Sequence, residues 1–221
     1  VELWINLAQP YGYVNKKPIF LERQEIQVVH KDPRILLARV ATPIWQCWLL
    51  VAYAPQSGLP LDQRERWWAE LSEVVHSRDA GEQLIAMIDA NAAPGGRDDV
   101  AVFAEGLSDS VNTPLFRRFV TEQDLFLPCT TAAHQGDTAT WTDPTGVHHH
   151  CIDYVLLSRH FIDACSLSRV VSDFDLGTSH WDHEPTAVHL VWTCRVPQRP
   201  RRRQQGLGFD PNRIEQQTVQ Q

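Results

Sequence analysis

The sequence has no apolar run approaching the roughly 18–20 residues that a membrane-spanning helix needs, so nothing in it reads as a transmembrane segment. Its start, VELWINLAQPYGYV, lacks a basic segment leading into an apolar stretch and so carries no secretory signal pattern. That start opens on Val1 rather than Met and runs at once into strand-like VELWINL, so the chain is expected to be a fragment that begins inside a domain. Close cysteine pairs are missing too. Cys47, Cys129, Cys151, Cys165 and Cys194 are odd in number and none form a CxxC, which argues against a disulfide framework and a cysteine zinc site. Reduced, buried thiols in an intracellular protein are expected instead. Basic charge is in short supply: 20 Lys and Arg against 27 Asp and Glu give a net charge of −7. A module that grips nucleic acid through phosphate contacts alone should be basic. The deficit leaves open an enzyme whose carboxylates hold a metal that faces phosphate.

What is present is enough for one substantial core, with 221 residues of which 43% are hydrophobic. Residues 1–55 read as consecutive strands, with EIQVVH, RILLARVAT and WQCWLLVAYAP separated by turn material. Residues 61–81 read as a helix. Trp67, Trp68, Leu71, Val74 and Val75 recur at helical spacing, and Gly81 suits the stop. The two tryptophans are read as core rather than as base-stacking groups. LIAMI reads as a strand covered on both faces. Residues 113–125 read as a second helix, and TATWTD, HHCIDYVLLS, CSLSRVVSDF and TAVHLVWTC read as four strands. This order predicts an α/β sandwich, with helices outside packed sheets. Residues 1–195 are expected to form one domain. Residues 196–221, rich in Arg, Gln and Pro, are expected to be a linker or a disordered tail.

Apolar strands repeatedly border polar residues of catalytic type. LLVAYAP delivers Tyr53, LIAMIDAN delivers Asp89 and Asn91, CIDYVLLS delivers Asp153, and SHWDHEP delivers Asp182 and His183. Taken singly, each also fits a bland role as a turn residue, an edge aromatic or a solvent-side strand position. Together they cluster acids on rigid elements, which is costly unless a cation or protons neutralise them. Oxygen donors suit Mg²⁺ or Mn²⁺ over zinc. His148, His149 and His150 are a poorer metal site, because three adjacent strand residues cannot all face one ion. PRRR at 200–203 reads as a solvated tail rather than a DNA clamp.

Four stretches in order, YAP, IDANAAPG, IDYVLLS and WDHEPTAV over residues 50–190, resemble signatures of the endonuclease/exonuclease/phosphatase superfamily. That superfamily includes DNase I, abasic-site endonucleases of the exonuclease III type, and endonuclease domains of non-LTR retrotransposons. ATWTDPTGVHHHCIDYVLLS is most like the retrotransposon branch, and GLGFDPNRI resembles the connector toward a reverse transcriptase. The resemblance implies a four-layer α/β sandwich of DNase I type, with two packed, mainly antiparallel sheets flanked by helices and lacking its first strands. It implies Mg²⁺- or Mn²⁺-dependent phosphodiester hydrolysis, with DNA as substrate, a reverse transcriptase as partner and a nuclear place of action. In that reading Asp89 aims or deprotonates the attacking water and Asn91 fixes its orientation. His183 donates to phosphate oxygens, Asp153 holds the other ring nitrogen, and Tyr53 adds a hydrogen bond to the phosphate. Asp182, with Asp89, serves the metal.

The sequence also departs from the pattern it resembles. Ile88 stands where the family box has Gly and is expected to shift the carboxylate of Asp89; Trp181 stands where Ser is usual. By the resemblance, the strands bearing the family's Asn and metal-binding Glu are expected to precede Val1, and neither Glu2 nor Glu25 lies in the right context to replace that Glu. These departures fit a second class of function, a catalytically dead remnant serving as a structural or interaction domain. A phosphomonoesterase of the same fold ranks lower, because the Trp-Cys-Asp-Arg box of that branch is absent.

Overall fold

The computed structural model describes residues 1–79, 81–95, 110–174 and 182–193. Trp181, Cys194, the PRRR run and the proposed tail at 196–221 lie outside these residues. The strand-like opening VELWINL joins no strand among the described residues: residues 1–6 carry no regular structure and Trp4 is 88% exposed. Alternation alone does not make a strand without a partner to take its hydrogen bonds. The first pairing is instead a hairpin of β1 (Pro10–Val14) and β2 (Lys17–Phe20), whose turn holds Asn15 and Lys16 at positive φ.

The elements that follow are β3 (Ile26–Lys31), β4 (Ile35–Ala41), β5 (Gln46–Tyr53), helix α1 (Leu61–His76), β6 (Gln83–Asp89) and helix α2 (Thr113–Glu122). Then come β7 (Leu125–Phe126), β8 (Trp141–Thr142), β9 (His149–His150), β10 (Asp153–Ser158), β11 (Cys165–Val170) and β12 (Thr186–Leu190). Both helices end earlier than their apolar spacing suggests. The Ser77 hydroxyl donates back to the Val74 carbonyl at the end of α1, and Gly81, at φ +93°, belongs to the turn into β6. Leu125 leaves α2 because it pairs with Ser158 as part of β7.

Six strands form one sheet in the order β3-β4-β5-β6-β10-β7. Every pairing is antiparallel except β5 with β6, which α1 connects as a crossover. One face carries the helices. Trp48, Leu50, Ala52, Leu84, Ala86, Ile88, Tyr154 and Leu156 pack there against Trp67, Trp68, Leu71, Val75, Phe116 and Phe119. Trp67 and Trp68 are 8% and 4% exposed, so both are core, as their spacing suggested. The opposite face carries a smaller sheet of β11 and β12. There Cys47, Phe126, Leu157 and Phe161 form a second cluster, flanked by Leu49, Ile85, Val155, Val188 and Leu190. The mixed α/β sandwich therefore has helices, a mainly antiparallel sheet and a second sheet in layers among the described residues. Cys47, Cys129, Cys151 and Cys165 are all free thiols, and burial pushes Cys47 up to about 12. No helix among the described residues is long and apolar enough to cross a membrane.

Candidate active site

Strand register sets the first three groups abreast. Tyr53 pairs with Asp89 across β5–β6, and Asp89 pairs with Asp153 across β6–β10. Directly paired residues share a face of the sheet. Alternation decides which face: Ile88 and Tyr154 enter the helical core, so Asp89 and Asp153 stand on the side of the second sheet. Ile88, expected to disturb Asp89, is buried against the helices while its neighbour keeps its place in the ladder.

His183 arrives from the segment before β12. Its Nδ1 lies 2.9 Å from Asp153 Oδ2, as an N–H donating to the carboxylate. One ligand atom each from Asp89, Asp153 and His183 lie within 4.8 Å of one another. The Asp153 carboxylate raises the His183 pKa, through the hydrogen bond first and through charge second. Asp89 is pushed up to about 6 by burial first and by the Asp153 charge second. The Asn91 amide, His183 and Arg34 oppose that rise.

Asn91 sits just past the end of β6 in the left-handed region, at φ 45°. Its N–H donates to Asp89 Oδ1 at 2.9 Å, and its side-chain amide donates to the Ala54 carbonyl at 3.0 Å. Asn tolerates this conformation better than most residues. The result is a carboxylate aimed by its own chain two residues on.

Asp182 is exposed and stands outside the Asp89–Asp153–His183 group, although its charge contributes to the rise at His183. Its carbonyl accepts the Thr142 N–H at 2.8 Å, which ties the segment to β8. His148, His149 and His150 are exposed on and before β9. His149 bonds Thr142 Oγ1 and His150 lies against Trp141, and the three form no metal group among the described residues. Glu2 accepts the Trp4 indole N–H and Glu25 accepts the Glu22 N–H, so neither joins the site. Two groups near the site carry no local signature in the sequence. The Arg34 guanidinium lies 4.8 Å over the Tyr53 ring and donates to the Tyr53 carbonyl. Thr140 binds the backbone at Asp153.

The donor set fits a hard divalent cation in one respect. Two carboxylates meet at a half-buried place, and burial together with the Asp153 charge raises the pKa of Asp89. Asp89 is the grouped carboxylate left to hold such an ion, since Asp153 is engaged by His183, and Asp182 is exposed outside the group.

No protein-family model matches this sequence, and no curated protein matches it. Solved structures do. A 3′ phosphatase from Neisseria, NExo, bound to product DNA hairpin, is 20% identical with a TM-score of 0.58, over 78% of this chain and 72% of that one. A 3′-5′ exonuclease structure, NExo from Neisseria meningitidis, gives 20% identity and a TM-score of 0.57, over 76% of this chain and 71% of that one. The endonuclease domain of TRAS1, a telomere-specific non-LTR retrotransposon, gives 15% identity and a TM-score of 0.54, over 82% of this chain and 78% of that one. The layered sheets, the order of elements and these likenesses agree: the chain has a DNase I-like fold.

Proposed function

We propose that this chain, with residues 1–195 as one domain, is a divalent-metal-dependent phosphodiester hydrolase that nicks DNA. The observation that carries this reading is the His183–Asp153 ion pair closing onto Asp89 at the end of three registered strands. Mg²⁺ or Mn²⁺, held by Asp89 with Asp182, would supply Lewis-acid stabilisation of the charge growing on phosphate. The chain's own groups do the rest. Asp89, ionised, takes up or aims a proton of the attacking water, and the Asn91 amide holds that carboxylate in direction. Asp153 occupies Nδ1 of His183, so the protonated ring presents Nε2–H to a phosphate oxygen. Tyr53 offers its hydroxyl to the same phosphate from the neighbouring strand.

Nicking of supercoiled plasmid in Mg²⁺ tests the reading, with Asp89→Ala and His183→Ala as controls. Activity in the wild-type chain that both variants lose supports it; absence of cleavage in Mg²⁺ and in Mn²⁺ supports a catalytically dead remnant. The retrotransposon type of nicking is favoured by the TRAS1 likeness together with the TATWTD-to-IDYVLLS stretch. It implies a reverse transcriptase as partner and a nuclear place of action. The Neisseria likenesses favour a second reading, processing of DNA 3′ ends. A 3′-phosphorylated oligonucleotide offered beside the plasmid separates the two, since release of phosphate without nicking selects end processing.

A further inference from the structure

His183 and Asp153 are 30 residues apart in sequence, yet one residue touches the backbone of both segments. Thr140 is 1% exposed and immediately precedes β8. Its Oγ1 accepts the N–H groups of Ile152 and Asp153, each at 3.0 Å. Its carbonyl accepts the Glu184 N–H at 2.7 Å, next to His183 in the chain. Its own N–H donates to the His150 carbonyl at 2.8 Å. With the 2.9 Å bond between His183 and Asp153, these contacts close a ring: Asp153 N–H to the Thr140 hydroxyl, Thr140 carbonyl to Glu184, Glu184 to His183, and His183 back to Asp153.

The ring has a physical purpose. Ile152 precedes β10 and Asp153 opens it, and the Ile152 carbonyl is already taken by the Ala90 N–H. Two adjacent amides with no strand partner would otherwise let the start of β10 turn. A single hydroxyl fixes both, and with them the direction in which the Asp153 side chain leaves the backbone. The carbonyl of the same residue sets how far away His183 stands. The Trp141–His183 bridge extends this tie along β8.

We propose that Thr140 is the positioning residue of the Asp153–His183 pair, acting through the backbone amides of Ile152, Asp153 and Glu184 and touching no substrate. The inference deepens the hydrolase reading and rests on it only for its kinetic arm. Its effect falls on kcat: a displacement of about 1 Å in a reacting group costs about 100-fold in rate.

The test compares Thr140→Val, Thr140→Ser and the wild-type chain. Thr140→Val keeps the shape and removes the acceptor; it is expected to lower kcat for plasmid nicking about 100-fold with KM changed less than about threefold. Thr140→Ser restores the oxygen and is expected to return kcat to within about threefold of wild type. Independently of any activity, the metal-free wild-type protein should show a hydrogen-bonded His183 Nδ1 proton by NMR. That signal should persist in the serine variant and be lost or shifted in the valine variant. Slow exchange of the Ile152 and Asp153 amides in the wild type is expected as well, and needs no variant to fold. A folded valine variant with an unchanged His183 signal and unchanged kcat overturns the proposal, as do Ile152 and Asp153 amides that exchange as fast as those of open loops. A wild-type chain that cleaves nothing sinks the hydrolase reading alone, and the imidazole signal still decides the role of Thr140.

Discussion

On β6, Ile88 and Asp89 are neighbours in the chain and stand on opposite sides of one sheet. Ile88 enters a core of Trp68, Leu71, Phe116 and Phe119, where aromatic rings lie about 6 Å apart. Asp89 faces the second sheet, where β11 and β12 cover the lower strands and leave the ends of β5, β6 and β10 open to a row of polar groups. The same pairing that gives the helical face its uninterrupted apolar layer forces Tyr53, Asp89 and Asp153 into line on the other. One face contributes stability. The other gives some of it up, since burial and a neighbouring carboxylate hold Asp89 far above its ordinary range.

The sharpest way to separate the two faces is His183→Ala. It should lower nicking by about 10³-fold, equivalent to about 4 kcal/mol of transition-state stabilisation, while leaving the thermal midpoint nearly unmoved. Parallel loss of fold and activity would mean that the mouth is structural. Leu71→Ala does the reverse: a fully buried side chain removed from the helical face should cost about 3 kcal/mol in denaturant unfolding and leave kcat of the folded fraction intact.

The pH profile sharpens the contrast at the mouth. The proposed roles need Asp89 ionised and His183 protonated, so nicking should rise as pH climbs through about 6 and fall again above the raised pKa of His183. A profile that only rises would remove the protonated imidazole from the reaction. The rising limb should move to lower pH as Mg²⁺ concentration increases, because a bound cation favours the carboxylate.

The smallest effect is the most telling about the trade between faces. A carboxyl whose folded pKa is raised contributes stability that is present below its unfolded value and lost as pH rises through about 6. At pH 7 without metal, Asp89→Asn should therefore stabilise the protein, by about 1 kcal/mol after allowing for solvent screening at this partly exposed group. The gain should vanish near pH 4, where the wild-type carboxyl is itself neutral. The variant should also lose any rise in thermal midpoint that Mg²⁺ gives the wild type. Destabilisation at pH 7 would show that Asp89 is already satisfied by its neighbours.

Much of this contrast is legible in the sequence because it is local. LIAMI is apolar without a break and RILLARVAT is interrupted inside β4 only by Arg39, since both faces of β4 and β6 are covered, and the abrupt change to Asp89 and Asn91 marks where cover ends. The tryptophan pair of α1 declares its buried side by spacing alone. The end of a helix is less legible: α1 stops where the Ser77 hydroxyl turns back onto the Val74 carbonyl, and α2 stops where Leu125 takes a strand partner that tertiary pairing sets. The strand-like opening at Val1 fails for the same reason. In the site, Tyr53, Asp89, Asp153 and His183 stand out because acids and an imidazole beside buried strands need explaining. Thr140 and Arg34 do not, since a Thr in TATW and an Arg in DPRIL act through backbone contacts 13 and 19 residues away that no local pattern encodes.

The parallel pairing of β5 with β6 has a consequence for how this chain can vary in length. Tyr53 and Asp89 are held abreast by the ladder and not by the 35 residues that separate them, so the exposed turn at Gln56–Leu59 can gain or lose residues without parting the two. A single residue added inside β6 is another matter. It would rotate everything beyond it by half a turn, bury the acid among the tryptophans and present Ile88 to the solvent.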